Sequence, residues 1–459
     1  MWDEKGKRKL NSLNNFNRFA NPNSPMPLDI PRFFRASNPS KTLSVGNPED
    51  RKYYIDFSSV RGSNIIRELG RTIAFQSDQQ TCQLFTGHIG CGKSTELLRL
   101  KYDLDQQGFH VVYFESDKDL DIGDVDVSDI LLAIARQVSA SLEAIQISLK
   151  PGYFVNLFSD LGDVLKTPME ISSVEFSVGI AKFTARAKDS PAMRGQMRQY
   201  LEPRMNGILE ALNQELLEPA RKRLQQKGKK GLVVLIDNLD RVDPSRKPSG
   251  RTQPEYLFID RGEQLKKLAC HLVYTIPLVL IFSSELGPLI NRFGGRPKVL
   301  PMVPVQYNDG SDHLEGLALL RQMVLARAFP DLNPFQRLEQ IGEVFDQAET
   351  LDRLCKVSGG HVRNLLVLLY SCLQQNDPPI LRPSLENVIK GYRDDLVLTV
   401  TDEQWKLLRQ VNQQKMVSEE PEYQVLLRSL FVYEYRDNQG RWFDVNPALA
   451  EAWQRLNID

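Results

Sequence analysis

Residues 87–94 read GHIGCGKS: Gly87, Gly90 and Gly92 are spaced by His88, Ile89 and Cys91, and Lys93, Ser94 and Thr95 follow. This spacing, G-x-x-x-x-G-K-[ST], is that of a loop that cradles phosphates. The glycines let the backbone curl until its amides converge on phosphate oxygens, and the start of a helix behind them adds a favourable dipole. Lys93 would reach the outer phosphates, Ser94 would set its hydroxyl on Mg²⁺, and Thr95 would assist at the α-phosphate. The loop stands where that chemistry needs it, after an apolar strand, TCQLFTG, and at the head of a helical stretch, KSTELLRLKYDLDQQ.

A second stretch, VVLIDNLDR at 233–241, runs four apolar residues into Asp237. A strand buried on both faces would deliver that carboxylate to the edge of a sheet beside the loop, where it would hold Mg²⁺ mainly through water. The next residue is Asn238. An amide orients water but is no general base at neutral pH, so hydrolysis of a bound nucleotide would be slow or would draw on another carboxylate. Asp240 is the nearest candidate and Glu96 a second.

The elements that must position these groups alternate strand and helix. FHVVYFES is a second strand, and VSDILLAIARQVSASLEAI is an amphipathic helix with Ser128 as its expected N-cap. GLVVLID, CHLVYTIP and PKVLPMVPV complete the strands of an α/β domain with a mostly parallel sheet. Residues 150–230 read as an insertion in which VEFSVGIAKFTARAK alternates like a strand or hairpin, followed by a long charged helical run. The expected organisation is an N-terminal flexible arm or strap over 1–50, the α/β core over 51–305 with that insertion, a helical lid over 306–395, and a small winged-helix-like α+β domain over 396–459.

The order of the phosphate loop, LVVLID, a strand ending in Thr275, INRFGGRPKVLP and SGGHVRNLL resembles AAA+ ATPases and their STAND relatives, including the origin-recognition-like group. The resemblance spans about residues 50–395 and implies a P-loop NTPase that binds ATP or ADP with Mg²⁺. By it, Thr275 resembles the polar sensor at the γ-phosphate, although a strand-end hydroxyl is the plain alternative and Ser283 or Ser284 would substitute. Arg292 resembles the arginine finger a neighbouring subunit inserts, with Arg296 competing for the role. Arg363, after SGGHV, resembles the lid sensor that couples lid angle to phosphate state; His361 beside it reads as a satisfied polar group. Val60, Arg61 and Gly62 fall where such proteins wrap the adenine.

Other features bound the function. The 459 residues carry 58 Lys plus Arg and 58 Asp plus Glu, so no global field gathers nucleic acid or anionic membrane. Five dispersed cysteines without metal spacing and an N-terminus without an apolar signal core suit the cytoplasm. ACHLVYTIPLVLIFSSELGPLI contains Glu285 and two prolines and reads as a buried strand and helix rather than a membrane span. From residue 396 onward seven Lys or Arg face ten Asp or Glu, the wrong sign for a DNA footprint. A protein contact or autoinhibition is the favoured role for that end, with Arg428, Arg436 and Arg441, or the basic stretches KGKRK and RKRLQQKGKK, as the alternative nucleic-acid contacts. The sequence therefore points to a nucleotide-dependent switch with a protein partner or self-association through the ATP site. A DNA-associated ATPase and a non-hydrolysing nucleotide-stabilised scaffold are the alternatives.

Overall fold

The computed structural model describes residues 27–149, 151–164 and 176–456. Five parallel strands form the central sheet: β1 (Cys82–Gly87), β2 (His110–Glu115), β3 (Leu232–Asp237), β4 (His271–Thr275) and β5 (Lys298–Leu300), in the order β2-β3-β4-β1-β5. Parallel strands are covered on both faces, so β3 is buried at every position. Its alternate residues divide between two cores. Leu232, Val234 and Ile236 pack with helix Val127–Glu143 and the helices of the insertion, whereas Val233 and Leu235 pack with Leu97, Leu100 and Phe85. The carboxyl ends of β1 and β3 meet β4 between them, which brings the phosphate loop and Asp237 to one edge of the sheet.

Several elements depart from expectation. Residues 176–189 form a helix rather than a strand or hairpin: Ser177, Ile180, Thr184 and Ala187 are buried at helical spacing, with contacts to helix Val127–Glu143. The apparent alternation in FSVGI arises because residues four apart share a helix face while Val178 is exposed. The first two residues of VEFSVGIAKFTARAK, and the stretch KGKRK, lie outside the described residues. Helix Val127–Glu143 is capped by Asp126, not Ser128, through a reciprocal capping box with Asp129. The strand expected over PKVLPMVPV stops at Leu300, since Pro301 and Pro304 offer no ladder N–H.

Residues 27–50 belong to the segment expected as a flexible arm or a strap. Helix Ile30–Ala36 buries Phe33 completely, and Arg32 pairs with Asp331 at 2.9 Å. Beyond β5 come helices Leu314–Ala328 and Val362–Gln375 and their neighbours, then helices Asp402–Gln414 and Pro421–Arg428. The antiparallel hairpin β6 (Val432–Asp437) and β7 (Gly440–Val445) follows as read, and helix Pro447–Leu456 adds an element that was not anticipated. The hairpin joins two cores. Tyr433, Tyr435 and Trp442 pack under the phosphate loop with Phe85 and Cys91, while Val432, Phe443 and Val445 pack on Trp405, Leu408 and Leu426.

Candidate functional site

The phosphate loop is held from outside by its carbonyls. Lys93 Nζ donates to the carbonyls of Gly87 and His88, both at 2.8 Å. The Ile89 carbonyl lies 2.7 Å from His361 Nε2, Gly90 accepts from the Arg363 backbone N–H at 3.2 Å, and Cys91 accepts from Arg61 Nη2 at 2.8 Å. Gly92 accepts from Glu96 as the first turn of helix Lys93–Gln106 closes. With the carbonyls so occupied, the N–H groups of Gly90, Gly92, Lys93 and Ser94 have no acceptor among the described residues. Converging amides at a helix start form a concavity that takes an anion. Gly92 sits at φ 107°, where an L side chain is strained. At Gly90 the constraint is space: a Cβ there would stand 2.7 Å from the His361 ring.

Lys93 is 5% exposed, and its ammonium also meets Asp240 Oδ2 at 2.9 Å. Burial works against its charge, but Asp240, with Cys91 and Asp237, outweighs that and holds the Lys93 pKa above its ordinary value. Asp237 lies behind the cleft wall. Its Oδ2 accepts from the Tyr113 hydroxyl at 2.8 Å and its Oδ1 accepts from the Asn238 N–H at 2.8 Å. Burial, reinforced by Asp240, pushes its pKa up. Asp240 Oδ1 is buried without a partner among the described residues. Ser94, Asp237 and Asp240 thus supply the hard oxygens Mg²⁺ takes when phosphate oxygens and water complete its shell, and the orphaned Asp240 oxygen fits such a ligand.

Asn238 adopts a left-handed turn at φ 65°, which asparagine tolerates. Its amide Nδ2 donates to Asp117 Oδ1 at 2.8 Å, while Arg241 pairs with the other Asp117 oxygen at 3.1 Å. Arg363 lines the cleft; burial first, and the neighbouring Arg241 second, push its guanidinium pKa down.

The loop borders a half-open cleft of about 900 Å³, open solvent included. Of the expected residues, Ile89, Gly90, Cys91, Gly92, Lys93, Ser94, Thr95, Arg61, Asn238, Asp240 and Arg363 line it, as does Glu96. Several others are placed elsewhere. Gly87 and His88 open the loop but do not line the cleft, His88 accepting a hydrogen bond from the Glu434 backbone N–H at 3.0 Å. Gly62 turns beneath the hairpin, its Cβ position 3.0 Å from Arg436 Cγ, and Val60 is buried in the core with Phe57. Neither lines the cleft. Thr275 is fully buried and does not face the cleft: its hydroxyl accepts from Leu239 N–H at 3.1 Å and donates to the Ile236 carbonyl at 3.3 Å, fastening the turn after β3. Ser283 is spent on the Leu280 carbonyl, and neither it nor Ser284 lines the cleft. Arg292 lies away from its own chain's cleft, 3.6 Å from Glu263, and Arg296 is exposed on the surface.

Two walls were not anticipated. One is the strap Pro39–Leu43 with Tyr53 and Tyr54; the other is Met323 and Arg327 on helix Leu314–Ala328. SKTL and VLARAF are ordinary in composition, so no motif marked them. At the other end, Gln424 donates to the Phe282 carbonyl and Tyr423, Leu426 and Leu427 face the core, so helix Pro421–Arg428 is packed onto the body of the protein. Arg441 is committed to buried Glu434 at 2.8 Å. Among the described residues no helix is long and apolar enough to cross a membrane, and no cluster of three His, Cys, Asp or Glu forms a metal site.

No family model and no curated protein matches the chain. Among solved structures it is similar to a Walker-type ATPase of Pyrococcus abyssi, at 10% identity and a TM-score of 0.40 over 91% of this chain and 99% of that one. It is similar to the ORC1 protein of Aeropyrum pernix, solved in complex with DNA, at 15% identity and a TM-score of 0.34 over 85% and 91% of the two chains. A third similarity is to a signal transduction ATPase with numerous domains and a tetratricopeptide repeat sensor from Pyrococcus horikoshii, at 12% identity and a TM-score of 0.29, covering 82% of this chain and 41% of that one. These similarities assign no residue a role; the loop, the sheet order and the helical C-terminal region show an α/β P-loop NTPase fold.

Proposed function

We propose that the chain is a cytoplasmic ATP- and ADP-binding switch whose nucleotide, held with Mg²⁺, sets the arrangement of a helical lid (306–395) and a winged-helix-like terminal domain (396–459). The observation that carries this reading is the loop at 87–94, whose carbonyls are bound from outside and whose amides, with Lys93 and Arg363, converge on one cleft. The lid supplies His361 and Arg363 to those carbonyls and the terminal hairpin supplies Glu434 to His88. A phosphate that reshapes the loop therefore acts on both.

Mg²⁺ held by Ser94 and Asp237, with Asp240 beside them, would neutralise charge on the phosphoryl oxygens. The chain's own part is to bind the phosphates with the loop amides and Lys93, and to orient water with Asn238 while Asp240 takes its proton. An amide in the first of those places supports slow or partner-stimulated hydrolysis. Arg292, half-buried beside Glu263 and away from its own cleft, is the residue through which self-association would serve as the partner route. DNA is the less favoured partner, because helix Pro421–Arg428 is packed against Phe282 and Arg441 is already paired.

The test is equilibrium binding of ATP and ADP with Mg²⁺, followed by turnover. Lys93→Ala should abolish tight binding, and the unmodified protein should turn over more slowly than about once per minute, equivalent to a barrier above roughly 20 kcal/mol. Faster turnover, or binding that ignores Lys93→Ala, would overturn the reading.

A further inference from the structure

We propose that Arg327 reads a hydrogen-bond acceptor on the base of the bound nucleotide, most simply a ring nitrogen of a purine; this rests on the nucleotide reading of the same cleft. Arg327 stands near the end of helix Leu314–Ala328 and is 4% exposed, yet no carboxylate pairs with it among the described residues. Its Nη1 donates to the Met323 carbonyl at 2.7 Å, and its Nε is buried without a partner. That leaves Nη2 as the donor available to a ligand in the cleft that Arg327 lines. A guanidinium kept inside a protein without a counter-charge is costly unless something it binds repays the desolvation. Burial pushes its pKa down to about 10, so it still carries its charge at neutral pH.

Two observations separate Arg327 from the phosphates. Asp240, at the phosphate end, acts electrostatically on Lys93 and on Arg363, whereas the neighbour acting on Arg327 is Tyr53. Met323 and Tyr53 neighbour Arg327, and Leu43, Ile55 and Leu366 are further apolar lining of the same cleft, surfaces that suit an aromatic ring. A guanidinium has donors and no acceptor. It can therefore recognise N1, N3 or N7 of adenine, but not the exocyclic amine.

Competition binding of ATP against 1-deaza-, 3-deaza- and 7-deaza-ATP, with 2′-deoxy- and 3′-deoxy-ATP alongside, tests this on the unmodified full chain. One deaza analogue should bind about tenfold or more weakly than ATP, as expected for loss of a charge-assisted hydrogen bond. In Arg327→Met, which keeps a flexible side chain of related length, ATP should weaken to the level of that analogue and the difference between them should vanish. Equal binding of ATP and all three deaza analogues to the unmodified protein would overturn the proposal, as would a penalty that survives Arg327→Met. A penalty confined to the deoxy analogues would also overturn it and assign the contact to the ribose. Failure of the unmodified protein to bind ATP at all, with Lys93→Ala indistinguishable from it, would overturn the nucleotide reading itself.

Discussion

The backbone N–H of Glu434, on the last hairpin of the chain, donates to Nε2 of His88, inside the phosphate loop, across 3.0 Å. Burial pushes the His88 pKa down to about 3, so the ring is neutral and its Nε2 is free to accept. The Tyr433 ring lies edge-on to His88 and stacks on His361, whose Nε2 meets the next loop carbonyl. Loop, helix Val362–Gln375 and hairpin are thereby one bonded unit. His88→Ala should leave nucleotide affinity within a few fold, since the side chain does not line the cleft, but should weaken hairpin docking by about 1 kcal/mol. Hydrogen exchange of residues 432–437 with and without ATP checks this: the nucleotide-dependent change in protection should shrink in the variant. An unchanged difference would remove His88 from the coupling path.

Glu434 makes that docking sensitive to pH. Its side chain is buried, and desolvation pushes its pKa up to about 7, against the opposing pull of Arg441 and Arg436. The folded state thus holds the proton more tightly than the unfolded chain. The stability this contributes is complete below about pH 4.5 and is lost as pH rises through about 7. The histidines act with the opposite sign: His88 and His361, depressed to about 3 and about 4, contribute stability that is present above about 6.5 and lost as pH falls. Glu434→Gln should therefore gain on the unmodified protein between pH 5 and pH 8, by at most about 3 kcal/mol. Denaturant unfolding at the two pH values measures it; a gap that does not move with pH would place the Glu434 charge outside the stability balance.

Much of this arrangement is legible in the sequence and some is not, for reasons that follow from particular residues. The phosphate loop is legible because its chemistry demands glycines and a Lys-Ser pair at fixed spacing. Strand β3 is legible because burial on both faces leaves an unbroken apolar run ending in Asp237. Helix Phe176–Asp189 is misread because Phe176, Val178 and Ile180 imitate a strand's alternation over a few residues, and only Thr184 and Ala187 restore the helical period. Thr275 sits at the expected strand end, but β-strand geometry alone does not say whether its hydroxyl faces the cleft or the neighbouring turn. The cleft walls at 39–43 and 323–327 come from segments nearly 300 residues apart, and neither has a local signature.

The buried Lys93–Asp240 pair sets up a competition, because a phosphate and Asp240 both call on one ammonium. Asp240→Asn keeps an acceptor for Lys93 but removes the charge. Without nucleotide the variant should lose about 1–3 kcal/mol of stability, as a buried cation left with a neutral partner does. With ATP and Mg²⁺ its melting temperature should rise further than that of the unmodified protein, because the phosphates replace the missing charge. Its turnover should fall to background if Asp240 takes the proton from water. Normal turnover with the enlarged thermal shift would keep Asp240 as a gate for Lys93 and exclude it as the base.

Asn238 explains why an amide stands where a base would be expected, and shows how to replace it. The side chain bridges to Asp117 and lies between Asp237 and Asp240 along the chain, so a carboxylate there adds a fourth negative charge to a crowded edge. The left-handed φ of 65° adds a second condition: asparagine and aspartate tolerate it, whereas glutamate would be strained by about 1–2 kcal/mol. Asn238→Asp is therefore the informative substitution and Asn238→Glu its strained control. If the amide limits hydrolysis, Asn238→Asp should raise single-turnover hydrolysis at pH 8 by about tenfold or more, within what a positioned base contributes. It should also cost stability, more at pH 8 than at pH 5, because the added carboxylate is charged only at the higher pH if its neighbours raise its pKa. Turnover that stays at the level of the unmodified protein, in a variant that still binds ATP, would mean that the missing element comes from a partner rather than from position 238.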